Sequence, residues 1–386
     1  MAERVLVGTR KGSFIVEKHN GRWKPRLAGH AGAGSNFVAC DPNTGTLWAL
    51  LGHGHWGAKL SRSTDGGASW HDAPQIKYPP GARYIGTDMP SEDGAEPPSK
   101  IRTATLLKLW CIAFGPTGRI YVGTIPGGLF ESDDGGESFA LNRVLWNHES
   151  RGGDLFNGDG SGHTEWFGTP ASESGEFAAG IHSIVVDPTN ADRVMVAVST
   201  AGVLETTDGG KSWRSRNRGM TNDYLPDPNA EWGHDPHFVA LCPGAPRHVW
   251  QQNHCGVFYS DDGAETWRNV SDPSTGVRFG FPVAVDAVDG RTAWLVPGVA
   301  DMQRTAIDGG LFVARTTDGG ATWQQLRRGL PQQQAYDVVY RHALDASGDL
   351  LAFGSTTGNL YLSEDRGDSW QTVGNNLPPV YSVRFG

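Results

Sequence analysis

Apolar residues in this chain come in short runs, separated by Gly, Pro, Asn and Asp. The clearest stretch is residues 181–213. Ile181-His-Ser-Ile-Val-Val-Asp187 is followed by a Pro-Thr-Asn turn, then by Arg193-Val-Met-Val-Ala-Val-Ser199, then by Val203-Leu-Glu-Thr-Thr, and a last run opens at Trp213. Runs of this length, rich in β-branched residues and bounded by turn formers, predict strands. The unit is therefore four short strands, A to D, and it recurs. Other A strands begin near Asn36, Trp110, His237, Phe281 and Tyr336.

Between strands C and D one pattern repeats: Ser/Thr-x-Asp-x-Gly-x-Ser/Thr-aromatic. It runs from Ser63 through Asp65 to Trp70, and from Ser132 through Asp134 to Phe139. Further copies centre on Asp208, Asp262 and Asp318 and end at Trp213, Trp267 and Trp323. The copy at Asp365 ends at Trp370 and reads Arg366-Gly367 where the pattern is otherwise Gly-x, and a worn copy ends at Trp23. The Asp is placed to accept neighbouring backbone N–H groups, the Gly supplies turn dihedrals, and the aromatic packs between repeats. These aspartates are structural and are not catalytic candidates.

On these residues the chain resembles the Asp-box (BNR-repeat) proteins of the sialidase-like superfamily, over nearly its whole length. The resemblance implies an all-β fold, a seven-bladed β-propeller of four-stranded blades in a single domain, 1–386. The chain opens on a B strand, Arg4-Val-Leu-Val-Gly8, and ends on a lone A strand, Pro379–Phe385. The C-terminal strand is expected to join the N-terminal blade and close the ring, which removes an unpaired sheet edge.

The Asp turns and the short A–B turns should share one face. The extra length falls in D–A loops near 71–108, 142–179 and 216–236, on the opposite face. Long connections in a compact fold usually carry function. Histidines gather on the same side: His53 and His55 after one B strand, His254 after another, His182 and His237 at A-strand starts. Imidazoles converging from separate strands suit a divalent metal such as Zn, Mn or Mg. His53, His182, His237 and His254 are the expected ligands, with Asp235, Glu165, Gln252 and Asn253 as candidates to complete the shell. Two other readings stay open: a metal-free polar pocket, and histidines that only bond loop carbonyls.

For chemistry, His55, Glu165, Asp235 and Arg10 are the candidate catalytic groups. Lys11, Trp56, Trp110, Trp166 and Trp232 are the candidate substrate contacts, since exposed rings beside polar groups suit sugar faces. Packing of the loops onto the propeller is the competing account of the tryptophans, and of Trp146 and Phe167 beside them. Acids in the loops, including Asp88, Glu92, Glu149 and Asp159, form no obvious pair for glycoside hydrolysis. Gly8-Thr-Arg10 stands where a sialidase carries Phe/Tyr-Arg-Ile-Pro, so the resemblance does not extend to sialidase chemistry. The expectation is a metal-dependent hydrolase or lyase acting on a small polar, sugar-derived substrate in a His-lined pocket at the channel mouth. The alternative is a non-catalytic propeller that binds protein or carbohydrate.

Composition narrows the partners. The formal net charge is −9, and no Lys/Arg-rich run interrupts it. Nucleic acid and anionic membrane are poor partners for such a surface. The four cysteines form no CxxC pair, and the first residues carry acid and base with no apolar core of a signal peptide. A cytoplasmic protein is the expectation.

Overall fold

The structure is a computed structural model and describes residues 4–86, 100–158, 164–166, 169–170 and 177–386. Asp88, Glu92, Asp159 and Phe167 lie outside the described residues. Seven four-stranded sheets make an all-β protein of the β-propeller class. Helical structure among the described residues is limited to short turns, the longest being Arg143–Trp146. Among the described residues no helix is long and apolar enough to cross a membrane.

The fourth blade follows its sequence pattern closely, with strands Ile181–Asp187, Asn190–Val198, Gly202–Thr206 and Arg214–Ser215 in sheet order. The first blade is completed from the far end of the chain. Its strand Arg4–Thr9 pairs with Gly12–His19 on one side and with Val380–Phe385 on the other. The edge that Arg4–Thr9 would otherwise leave open is thereby hydrogen-bonded.

The repeated turn works as its sequence implies. Asp65 Oδ1 accepts the backbone N–H of Ala68 at 3.0 Å and of Ser69 at 2.9 Å, and Oδ2 accepts the Ser69 hydroxyl at 2.5 Å. The corresponding N–H bond recurs at Asp134, Asp208, Asp262, Asp318 and Asp365. Two copies carry Ala264 and Arg366 at positions where the others use Gly, and both keep positive φ, 69° and 59°. The turn overrides the local preference of those residues. The terminal aromatics reach the preceding blade: Trp70 Nε1–H donates to Ala28 O and Trp323 Nε1–H to Val270 O.

Two compact units divide the chain. One holds the first, fifth, sixth and seventh blades and most of the second. Here the inner strands pack around Arg384, whose guanidinium lies 4.9 Å from the Phe37 ring and 5.5 Å from the Phe238 ring. His342 meets both rings edge-on, at 4.9 and 5.6 Å. Burial pushes the nearby Asp345 carboxyl up, and Arg384 pulls it back. This aromatic and cationic layer fills the space among four inner strands.

The other unit holds the third and fourth blades and the long insertions. Residues 71–108 contribute the hairpin Arg83–Gly86 with Lys100–Thr103, and 142–179 contribute the Arg143–Trp146 turn and a short hairpin. The two insertions pack on each other through Tyr84, Trp146 and Leu155.

One irregularity recurs in the inner strands. Register slips by one residue at Asn36, at Trp110 and at His182, and again at Tyr381. In the sixth blade the slip falls at Phe281-Pro282. A bulge leaves one residue outside the ladder and re-aims its side chain. Asn36, Trp110 and Phe281, named above as A-strand starts, stand at these bulges.

The turn carboxylates make stability pH-dependent. The Ser212 hydroxyl, the Thr206 hydroxyl and the Ser212 N–H hold Asp208 down at about 2, below the ordinary value of 3.8. Asp65 and Asp134 are also well below the carboxylate range, for the same reason. A depressed folded value means that stability is complete above the unfolded value and lost as pH falls through the folded one. Thermal melts should therefore hold their midpoint above about pH 5 and fall steeply between about pH 4 and 2. Asp208→Asn should lower the midpoint at neutral pH and flatten that acid limb.

Candidate functional site

His237 and His254 stand in the fifth blade and Asp235 two residues before His237 in the chain, and one ligand atom of each lies within 4.8 Å of the others. Among the described residues this is the one group of three or more His, Cys, Asp or Glu side chains so placed. The chain builds it locally. His254 and Cys255 form the tip of the hairpin between Val249–Asn253 and Gly256–Ser260, with Asn253 paired to Gly256. The Asn253 Oδ1 accepts the Cys255 N–H at 3.0 Å, an Asx turn that fixes the tip. Asn253 Nδ2–H in turn donates to Gln251 Oε1 at 2.6 Å.

His237 opens the inner strand Pro236–Leu241, directly after Asp235-Pro236. It is 2% exposed. Its ring stacks on Phe281, centroids 4.6 Å apart and planes at 24°, and meets Phe279 edge-on at 5.5 Å. Its Nδ1 lies 2.6 Å from Gly280 O. A carbonyl only accepts, so Nδ1 carries the proton and Nε2 carries the lone pair. Such a bond fixes the tautomer and orientation of a metal-binding imidazole. A Cβ at Gly280 would be tight, 3.0 Å from Val296 O and 3.3 Å from Gln252 Oε1, so the neighbours would have to yield by a few tenths of an ångström. The His237 and His254 rings are 5.7 Å apart at 78°.

Asp235 Oδ1 accepts the Thr200 N–H at 3.2 Å. Thr200 holds φ at 60°, a costly conformation for a β-branched residue. The adjacent His234 is 1% exposed, donates from Nε2 to Ala230 O, and is kept neutral by burial, which lowers its pKa.

Gln252 and Asn253 have structural work. Gln252 Nε2 donates to the carbonyls of Asn253, Gly256 and Arg278, tying the hairpin to the next blade. The walls beside the histidines also include groups that the sequence reading did not single out. Arg304 and Arg341 lie 5.3 and 5.5 Å from the Phe281 ring, and Phe281 meets Tyr340 edge-on. Aromatic residues at the starts of inner strands were the available signal.

The remaining candidates are dispersed. His53 ends the strand Leu47–His53, and His55 and Trp56 sit exposed at the turn that follows, with Lys59 Nζ 5.2 Å from the Trp56 ring. Neither His53 nor His55 belongs to the ligand group. Arg10 and Lys11 are exposed at the turn after Arg4–Thr9. Burial raises the Tyr381 phenol, and Arg10 opposes that rise.

His182 is fully buried, with Nδ1 3.0 Å from Ser183 Oγ and its ring edge-on to Trp110 at 5.4 Å. It too stands outside the ligand group. Trp110 also lies 5.0 Å from Lys108 Nζ, and Trp232 meets His148 edge-on.

Trp166 is 3% exposed and donates from Nε1 to Ser150 Oγ. The Arg151 guanidinium is sandwiched between it and Trp146, at 4.2 and 4.1 Å. Loop packing therefore takes up both rings. Glu165 is held beside them by its backbone N–H, which donates to Ser150 O at 2.7 Å.

No family model matches the chain. Two curated proteins match about half of it. A xyloglucanase specific for oligoxyloglucan reducing ends, from Emericella nidulans, is 27% identical over 232 residues, 52% of this chain and 27% of that protein. A xyloglucanase from a Paenibacillus species is 25% identical over 246 residues, 53% of this chain and 22% of that protein. The chain thus spans about a quarter of each relative.

Among solved structures, an ancestral GH74 enzyme superposes with a TM-score of 0.55 at 17% identity, covering 88% of this chain and 38% of the other. YCF48 bound to D1 peptide gives 0.51 at 15% identity, covering 94% of both chains. A putative 6-phosphogluconolactonase from Bacteroides fragilis gives 0.53 at 10% identity, covering 99% and 97%. At these identities the structural likeness speaks for the fold alone.

The ring stack under His237 yields a test. Phe281 is 3% exposed, and truncating a buried Phe costs about 3–5 kcal/mol. Phe281→Ala should lose stability of that order by denaturant melts. Phe281→Leu, which keeps most of the volume but not the plane, should lose much less.

Proposed function

We propose that this protein is a carbohydrate-active β-propeller whose reaction centre is a divalent metal held by Asp235, His237 and His254. The observation that carries the reading is the Nδ1–H bond from His237 to Gly280 O, in a trio of metal-binding side chains already within 4.8 Å. Small side-chain adjustments would bring the three to a common ion at about 2.0–2.2 Å. Two imidazoles and one carboxylate favour Zn or Mn over Mg, which prefers oxygen ligands and water.

A metal with open positions polarises a carbonyl or activates water. The chain's own groups supply the rest. His237 and His254 would hold the ion through ring nitrogens. Phe279 and Phe281 exclude water from one side. Asp235, whose Oδ1 accepts the Thr200 N–H, would be the third ligand to the ion and the carboxylate of the trio that could take up a proton. The reaction is hydrolysis or β-elimination on a small polar, sugar-derived substrate. The partial match to two xyloglucanases supports the substrate class.

Untagged protein should retain about one equivalent of Zn or Mn after gel filtration, read by elemental analysis. His237→Ala and His254→Ala should each lower metal affinity by at least about tenfold. Asp235→Asn should lower it less and abolish turnover in a screen of glycosides, uronides and lactones. Metal-free protein that binds neither added Zn nor added Mn, with unchanged behaviour in both histidine variants, would sink the metal reading and favour a binding module.

A further inference from the structure

The seventh blade carries an open depression of about 520 Å³ that the chemistry above does not use. Gln334, Asp337, Asn359, Tyr361, Thr372 and Asn375 make the polar part of its wall, and Leu330, Pro331 and Ala335 the apolar part. It lies where the connection from the sixth blade, the turn after Leu350–Gly354 and the outer strand Gln371–Gly374 meet. The frame is stiff. Gly358 holds φ at 86°, and a Cβ there would stand 1.9 Å from Leu377 O. Leu377 N–H donates back to Gly358 O at 3.1 Å.

Asp337 is the group that calls for a ligand. It is 4% exposed and, among the described residues, forms no ion pair. Its Oδ1 accepts three bonds, from the hydroxyls of Ser355 and Thr357 at 2.6 Å each and from Asn359 Nδ2–H at 2.8 Å. None of the three uses Oδ2. A ligand hydroxyl that donated to Oδ2 would form a charge-assisted bond there. Burial raises the Tyr361 phenol to about 12, and Asp337 adds to that rise, so Tyr361 stays a hydroxyl that can donate or accept.

The chemistry of the wall selects the ligand class. No Lys or Arg lines the cavity, and its one charge is negative, so an anion is disfavoured. A bare cation needs several oxygen ligands within about 2.6 Å, which one carboxylate in a space this large does not supply. The volume falls within the roughly 300–1,000 Å³ typical of small-ligand sites. Amides that donate and accept, a carboxylate that only accepts, and hydroxyls together match a neutral polyol.

We propose that this cavity is a peripheral binding site for a neutral saccharide, holding its hydroxyls through Asp337 Oδ2 and the Gln334 and Asn375 amides. The proposal stands apart from the metal reading and survives its failure.

The test uses the full chain and the neutral disaccharides cellobiose, maltose and lactose, with glucuronate and calcium chloride as controls. Binding is read by saturation-transfer NMR and calorimetry. At least one disaccharide should bind. Gln334→Ala and Asn375→Ala, both at exposed positions, should each weaken it by about tenfold without moving the melting midpoint. His237→Ala should leave it unchanged, which separates this site from the metal centre. Asp337→Asn should weaken it as well, with its midpoint recorded because Asp337 also holds the 355–359 turn. No binding of any disaccharide overturns the proposal. So does binding indifferent to the seventh-blade variants, or a preference for glucuronate or calcium.

Discussion

A carboxylate that accepts the backbone N–H groups of its own turn sets the terms for this molecule. Six times Asp takes the N–H four residues ahead, with a Ser or Thr hydroxyl two residues behind closing the same turn. The geometry is strict enough to hold Ala264 and Arg366 at positive φ. A turn so constrained leaves little room for an insertion between its Asp and the N–H that it accepts. Variation in length is left to the other connections, and that is where the chain places its insertions. Neither these six acids nor the aromatics after them are available for chemistry, because their hydrogen bonds and faces are already committed.

Most of the architecture was legible because it is periodic. Strand pattern, Asp turns and the lone terminal strand each repeat a local rule, and the pairing of Val380–Phe385 with Arg4–Thr9 follows from counting. The bulges were half visible: Asn36, Trp110 and Phe281 stood out as strand starts, yet nothing in the sequence marks a one-residue slip. The site was legible only where it is local. Asp235 and His237 are two residues apart, and His254 tips a hairpin of the same blade. The His237 bond to Gly280 O, by contrast, joins residues 43 apart in the chain, and a backbone acceptor leaves no side-chain signature. Trp166 shows the opposite failure: its residue type suits a sugar face, but Arg151 occupies the ring.

The likenesses to known proteins divide along the same line. A GH74 enzyme, a D1-peptide-bound YCF48 and a putative 6-phosphogluconolactonase share the architecture at 10 to 17% identity. Such spread is what a repeat built on backbone hydrogen bonds permits, since the sheets need β-branched cores and Asp turns but no particular rim. Whatever distinguishes one propeller from another in chemistry must reside in side chains the sheets do not need.

His254 illustrates how few side chains that can be. It occupies a two-residue hairpin tip whose fold is secured by Asn253, Gly256 and the Gln252 amide, none of which requires an imidazole. One codon change at that tip would erase the proposed ligand while every sheet stayed intact. Genes that encode nearly the same protein could therefore differ in whether they carry a reaction centre at all, and overall similarity would be a poor guide to which of them does.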